Sequence, residues 1–125
     1  MSIYKPWREF ERSCRRDFEV LGFKAKRIWS EQFEEGGKAD VVAERGDLKF
    51  VAQCKYGNNP NLRKAYLEAV DAREKGQIAL GICRYKNERD TLVCLSWRDF
   101  KRLTSMVKYD KIRQGGKNEK VNNGC

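Results

Sequence analysis

Residues 39–55 read A-D-V-V-A-E-R-G-D-L-K-F-V-A-Q-C-K, and this stretch constrains the fold most. Val41, Val42 and Ala43 form a short apolar run, Gly46-Asp47 is a turn dipeptide, and Phe50, Ala52 and Cys54 alternate with polar residues. That pattern is a tight β-hairpin. With Gly46-Asp47 as a two-residue turn, Arg45 faces Leu48 and Asp40 faces Gln53. Opposed residues of an antiparallel pair share one face, with Cβ atoms roughly 5 Å apart. Lys55 lies two residues beyond Gln53 and joins the same face. An acid, an amide oxygen and an ammonium therefore converge on one patch, an arrangement suited to a metal-plus-lysine site for phosphodiester chemistry.

Composition narrows the chemistry further. The 125 residues contain no histidine. This excludes Ser-His-Asp hydrolysis, His-x-Glu zinc deamination and histidine-metal nucleases. Any hydrolysis must use carboxylates, lysine and a hard metal. The five cysteines, Cys14, Cys54, Cys83, Cys94 and Cys125, include no C-x-x-C pair. Four of them sit within apolar patterns and read as small apolar residues, so neither a zinc site nor a disulfide framework is expected. Twenty-seven Lys and Arg against eighteen Asp and Glu leave a net charge of +9, which favours a polyanionic partner such as nucleic acid. No apolar run approaches the roughly 20 residues of a membrane span, and the N-terminus lacks a signal-peptide pattern. The expected location is cytoplasmic, in a host cell if the source is viral, with no membrane partner.

The expected order is helix, strand, hairpin, helix, strand, strand, helix. Trp7, Phe10, Cys14, Phe18 and Leu21 form a helical stripe over 6–21, started by Pro6 and closed by Gly22. Glu11 lies about 60° from the middle of that stripe, at its edge. Arg8, Arg12, Arg15 and Arg16 form a ridge beyond it. A strand is expected over Phe23–Trp29, then a polar loop over Ser30–Lys38 with Glu31, Glu34 and Glu35. A second helix, capped by Asn61, is expected over Leu62–Lys75, with Leu62, Ala65, Tyr66, Ala69 and Val70 inward. Strands follow over Ile78–Tyr85 and Thr91–Leu95, then a helix over Trp97–Leu103 capped by Ser96. A helix between the second hairpin strand and the next strand implies a right-handed parallel crossover. The fold class is α/β, a mixed sheet flanked by helices in the order αβββαββα. One domain is expected over 1–110, followed by a flexible basic tail over 111–125.

The segments F-E-R-S-C-R-R-D-F-E-V-L-G-F (10–23), K-A-D-V-V-A (38–43) and F-V-A-Q-C-K (50–55), with Leu95-Ser96-Trp97, resemble the PD-(D/E)XK nuclease superfamily. Within it the likeness is to the archaeal-type Holliday junction resolvases, from about residue 8 to residue 103. The resemblance implies a restriction-endonuclease-like fold and a homodimer that cuts a four-way DNA junction by paired symmetric nicks. It makes Glu11 the helix carboxylate, Asp40 the metal-bridging carboxylate and Lys55 the catalytic lysine, with Gln53 where the family usually has Glu. It also places phosphate-gripping arginines at Arg12 and Arg27, and a mobile-loop serine at Ser30. Ala39 replaces the family's proline.

Phosphodiester hydrolysis needs a nucleophilic water, a sink for charge at phosphorus and help for the leaving oxygen. Mg²⁺ suits this, because it takes hard oxygen ligands and keeps several waters; Mn²⁺ should substitute. The expected metal ligands are Glu11, Asp40, Gln53 Oε1 and the Cys54 carbonyl oxygen, with Lys55 orienting the water or stabilising the phosphorane. The neutral Gln53 leaves two carboxylates, so metal affinity should fall; Glu34 or Glu35 is a candidate for the missing charge. The ridge of Arg8, Arg12, Arg15 and Arg16, with Arg27 and Ser30, reads as a DNA-binding surface. An ion pair of Glu11 with Arg15 is an equal alternative for that acid. Trp7, Trp29 and Trp97 read as core or interface residues, and Tyr56 and Tyr66 fit dimer contact or DNA equally. Two other functions stay open: a restriction-like or repair nuclease acting on duplex, nicked or flapped DNA, and a nucleic-acid binding module whose catalytic face has decayed.

Overall fold

A computed structural model describes residues 6–27 and 40–115, with side chains as far as Val107. It divides the chain into two compact units, Met1–Leu95 and Ser96–Cys125.

The first unit opens with α1 (Pro6–Val20). Phe10 and Cys14 are its buried apolar residues, because positions three and four apart share one face. Gly22 (φ 92°) ends it. The Phe23 N–H donates to the Phe18 carbonyl at 3.0 Å and the Gly22 N–H to the Glu19 carbonyl at 2.9 Å. This is a Schellman closure, and its usual apolar contact is present between the Phe18 and Phe23 rings, 5.5 Å apart. The same two rings meet Phe50 at 5.7 and 5.5 Å, which locks helix, turn and sheet together.

Five strands follow: β1 (Lys24–Arg27), β2 (Val41–Arg45), β3 (Leu48–Gly57), β4 (Ile78–Tyr85) and β5 (Leu92–Cys94). They lie side by side in sequence order. The hairpin has the expected register, Arg45 opposite Leu48 and Val41 opposite Ala52. Gly46, at φ 61°, stands first in the two-residue turn, as Gly-first turns of twisted hairpins require. β3 pairs parallel with β4, and α2 (Leu62–Ala72) forms the connection. Ile78 through Cys83 are all buried, the mark of a strand covered on both faces.

The two helices occupy opposite faces of the sheet. Phe50 and Tyr56 of β3 meet α1 through Phe18 and Phe10. Val51, at the intervening parity, joins a cluster with Ala69, Ala79, Tyr66 and Val70. Gly81 is what lets α2 sit so close: a Cβ there would lie 2.5 Å from the Tyr66 nitrogen. Gly81→Ala should therefore lower stability by about 3 kcal/mol, as overpacking against backbone does, read as a shift of the urea midpoint.

Boundaries differ at several element ends, α1 stopping at Val20 rather than at residue 21. β1 is described over Lys24–Arg27, and Ile28 and Trp29 lie outside the described residues. α2 stops at Ala72, because Arg73 adopts an extended conformation (φ −72°, ψ 141°) and its N–H bonds back to Val70. β5 spans three residues rather than five. In the second unit, α3 runs over Trp97–Gly115 rather than ending at Leu103. No Gly or Pro interrupts it before Gly115, so helix propensity carries it past the point where apolar patterning fades. Both caps are as expected: the Lys64 N–H donates to Asn61 Oδ1 at 2.9 Å and the Asp99 N–H to Ser96 Oγ at 3.0 Å. Of the tail, residues 116–125 lie outside the described residues.

Candidate active site

Asp40 immediately precedes β2, whose pairing with β3 runs from Arg45 opposite Leu48 to Val41 opposite Ala52. The Asp40 N–H donates to the Ala52 carbonyl at 2.9 Å, and its Oδ2 accepts the Cys54 N–H at 2.9 Å. These two bonds tie the acid to the opposite strand. Gln53 is 4% exposed. Lys55 follows on the same parity, on the face covered by α2. Glu11 comes from α1 in the other layer, where it is 7% exposed. Glu11, Asp40, Gln53, Cys54 and Lys55 all line one cleft of about 640 Å³.

Glu11 is more buried than its place at the stripe's edge suggested, because an arginine closes over it. Arg27 Nη2 donates to Glu11 Oε1 at 3.0 Å and Nε at 3.3 Å. Glu11 thus forms its ion pair with Arg27 of β1 rather than with Arg15 along its own helix. Arg12 instead pairs with Glu9 at 2.9 Å. The helix ridge splits. Arg8 and Arg12 are near enough to Glu11 to lower its pKa, whereas Arg16 is exposed and the half-buried Arg15 has an Nε without a hydrogen-bond partner. Ser30, Glu31, Glu34 and Glu35 lie outside the described residues.

Burial dominates the electrostatics of the cleft. It pushes the Asp40 carboxyl up to about 7; the Cys54 N–H and Lys55 oppose the rise, and Glu11 and Glu68 add to it. Glu11 is raised as well, by burial first, against the hydrogen bond and charge of Arg27. Two acids held near each other away from water both resist ionisation. A cation entering the cleft would relieve this. Among the described residues no three His, Cys, Asp or Glu side chains come together as a ligand group, so the donor set here is two carboxylates and the Gln53 amide. All are hard oxygens, which fits Mg²⁺ or Mn²⁺ with several retained waters and does not fit zinc.

The cysteines behave as apolar residues. Cys14, Cys54 and Cys83 are buried, and Cys94 is half-buried with its thiol free. The Cys54 thiol is raised well above its ordinary value, first by its hydrogen bond with the Cys14 thiol and then by burial; the Cys83 thiol is raised chiefly by burial. Neither is a thiolate nucleophile at neutral pH. Cys125 lies outside the described residues.

Two side chains gain a place that the sequence reading did not assign. Trp7, expected in a core or interface, is 43% exposed and lines the cleft, with the Arg8 guanidinium 5.1 Å from its ring centre. Glu68 of α2 pairs with Lys55, Oε1 to Nζ, at 3.0 Å. Its only sequence signal was an acid flanking the apolar face of the crossover helix. Of the remaining aromatics, Tyr56 lines the cleft and packs on Phe10, Tyr66 packs on the α2 cluster, and Trp97 stacks on Phe100 within α3.

No family model and no curated protein matches the chain in sequence. Its structure is similar to that of Archaeoglobus fulgidus Hjc, a Holliday junction resolvase from an archaeal hyperthermophile. The TM-score is 0.55 at 19% identity, over 70% of this chain and 73% of that one. The chain shares that resolvase's fold. The expected fold class, a mixed sheet flanked by helices, is thus the one found.

Proposed function

We propose that this chain is a metal-dependent, structure-selective DNA endonuclease that resolves four-way junctions by paired, symmetric nicks. The observation carrying this reading is the single cleft that gathers Asp40, Gln53 and Lys55 of the hairpin with Glu11 of α1, on a fold similar to that of a resolvase. Glu11, Asp40, Gln53 Oε1 and the Cys54 carbonyl would hold Mg²⁺, with Mn²⁺ able to replace it. When bound, the ion supplies charge neutralisation at the phosphate and a more acidic water. Lys55 donates hydrogen bonds to a non-bridging phosphate oxygen or to the attacking water. Arg8, Arg12, Arg15, Arg16, Arg27 and Ser30 contact the phosphate backbone, and the net charge of +9 makes binding strongly salt-dependent.

The enzyme works as a homodimer on branched DNA, in recombination and repair, inside the cell. Among the described residues no helix is long and apolar enough to cross a membrane. The neutral Gln53 favours one other reading, a binding module whose catalytic face has decayed.

The deciding experiment is strand cleavage of an immobile four-way junction beside its linear arms, in Mg²⁺. Paired nicks confined to the junction are expected. Equal cutting of the arms would make it a general duplex, nick or flap nuclease. Tight binding with no cutting in Mg²⁺ or Mn²⁺ would leave the binding module.

A further inference from the structure

An ammonium that must meet a phosphate at one point needs something to hold it, because lysine's long stem carries about 2 kcal/mol of rotamer entropy. In this strand Gln53, two residues before Lys55 on the same face, has no charge to do so. The structure provides a carboxylate from another element. Glu68 Oε1 lies 3.0 Å from Lys55 Nζ, with side chains 28% and 30% exposed. The partly shielded setting strengthens the pair beyond a surface contact.

Glu68 is also well anchored. It immediately precedes Ala69, which is fully buried and packs with Val51 and Ala79 of the sheet. One turn earlier on α2, Lys64 lines the cleft. Glu68 itself does not join Glu11 and Asp40 as a ligand group among the described residues. It takes one of the three ammonium protons and leaves two for the cleft.

We propose that Glu68 is the positioning carboxylate of this centre: through its ion pair with Lys55 it fixes the ammonium over the cleft, the role a charged residue at position 53 would otherwise share. The inference rests on the nuclease reading above and deepens it. Glu68 acts through Lys55 and touches neither ion nor substrate.

The test compares wild type, Glu68→Gln, Glu68→Asp, Lys55→Met and the Lys55→Met/Glu68→Gln double variant in single-turnover junction cleavage. Junction affinity is measured in Ca²⁺ and ion affinity by Mn²⁺ calorimetry. Glu68→Gln should slow cleavage by about 10- to 100-fold, with both affinities within about twofold. Glu68→Asp should recover part of the rate. In the Lys55→Met background Glu68→Gln should cause at most about a twofold further loss, because the ion pair with Lys55 through which Glu68 chiefly acts is already gone. Cleavage by Glu68→Gln at or above the wild-type rate, or losses that multiply, would overturn the proposal. So would a tenfold fall in Mn²⁺ affinity, which would make Glu68 an ion ligand. If wild type cuts nothing, the nuclease reading falls by itself, and urea midpoints of the same proteins decide the anchoring: non-additive midpoints support it and additive ones overturn it.

Discussion

Replacing Asp40 with Asn should abolish junction cleavage and at the same time stabilise the metal-free protein at neutral pH. Asn keeps a carbonyl oxygen for the Cys54 N–H, which Asp40 Oδ2 now accepts at 2.9 Å, so the strand pairing survives. The loss of the ionisable ligand should slow cleavage by at least about a thousandfold, since a positioned ion contributes several kcal/mol to the transition state. The stability effect has the opposite sign. Burial raises Asp40 from its ordinary 3.8 to about 7. Between those two pH values the folded chain holds more protons than the unfolded one. Stability contributed by the protonated acid is thus complete below about pH 4 and is lost as pH rises through about 7. The wild-type protein should fall behind the Asn variant across that window by at most roughly 4 kcal/mol, and the gap should be flat above it. Urea unfolding in EDTA at pH 4, 5.5, 7 and 8 measures this. Parallel pH curves for the two proteins would show that Asp40 is not a buried acid. Saturating Mn²⁺ should close the gap for wild type alone, because the ion favours the ionised carboxylate.

Gln53→Glu is the second large effect, and its two consequences again oppose each other. It supplies the third carboxylate that the ligand group lacks, so half-saturation by Mn²⁺ should occur at on the order of 10- to 100-fold lower concentration. Without metal, the new charge would sit at a position 4% exposed, in the cleft that Asp40 also lines. Like charges sharing a partly buried cleft repel by on the order of a few kcal/mol at an effective dielectric of about 20, so the apo variant should unfold at lower urea. Calorimetry and unfolding on the same sample test both halves. Unchanged Mn²⁺ affinity would remove position 53 from the metal wall and with it the Gln-x-Lys account of the cleft.

The hairpin was legible early because its geometry is local. A two-residue turn at Gly46-Asp47 leaves one register, which the strands keep from Arg45–Leu48 to Val41–Ala52. The same holds for the cap at Asn61, and for the end of α1, where Gly22 and Phe23 carry the closure within six residues. Helix ends without such a chemical stop were harder. The early end of α2 has no decisive residue at its boundary, and no Gly or Pro stands near Leu103 to stop α3 there.

The side-chain partnerships were not legible at all. Arg27 and Glu11 are sixteen residues apart and meet only because β1 lies beside α1. Lys55 and Glu68 meet only because the crossover lays α2 on the face that carries the Gln-x-Lys strand. Periodicity says which side of its own element a residue occupies, and no pattern within one element states what another brings to it. The order of elements and the hairpin register therefore stand in the sequence, since both follow from short-range patterning and backbone geometry. Packing supplied the rest: Arg27 covers Glu11, burial pushes the Asp40 carboxyl up to about 7 and Glu68 pairs with Lys55, because burial and long-range charge exist only once the layers have packed.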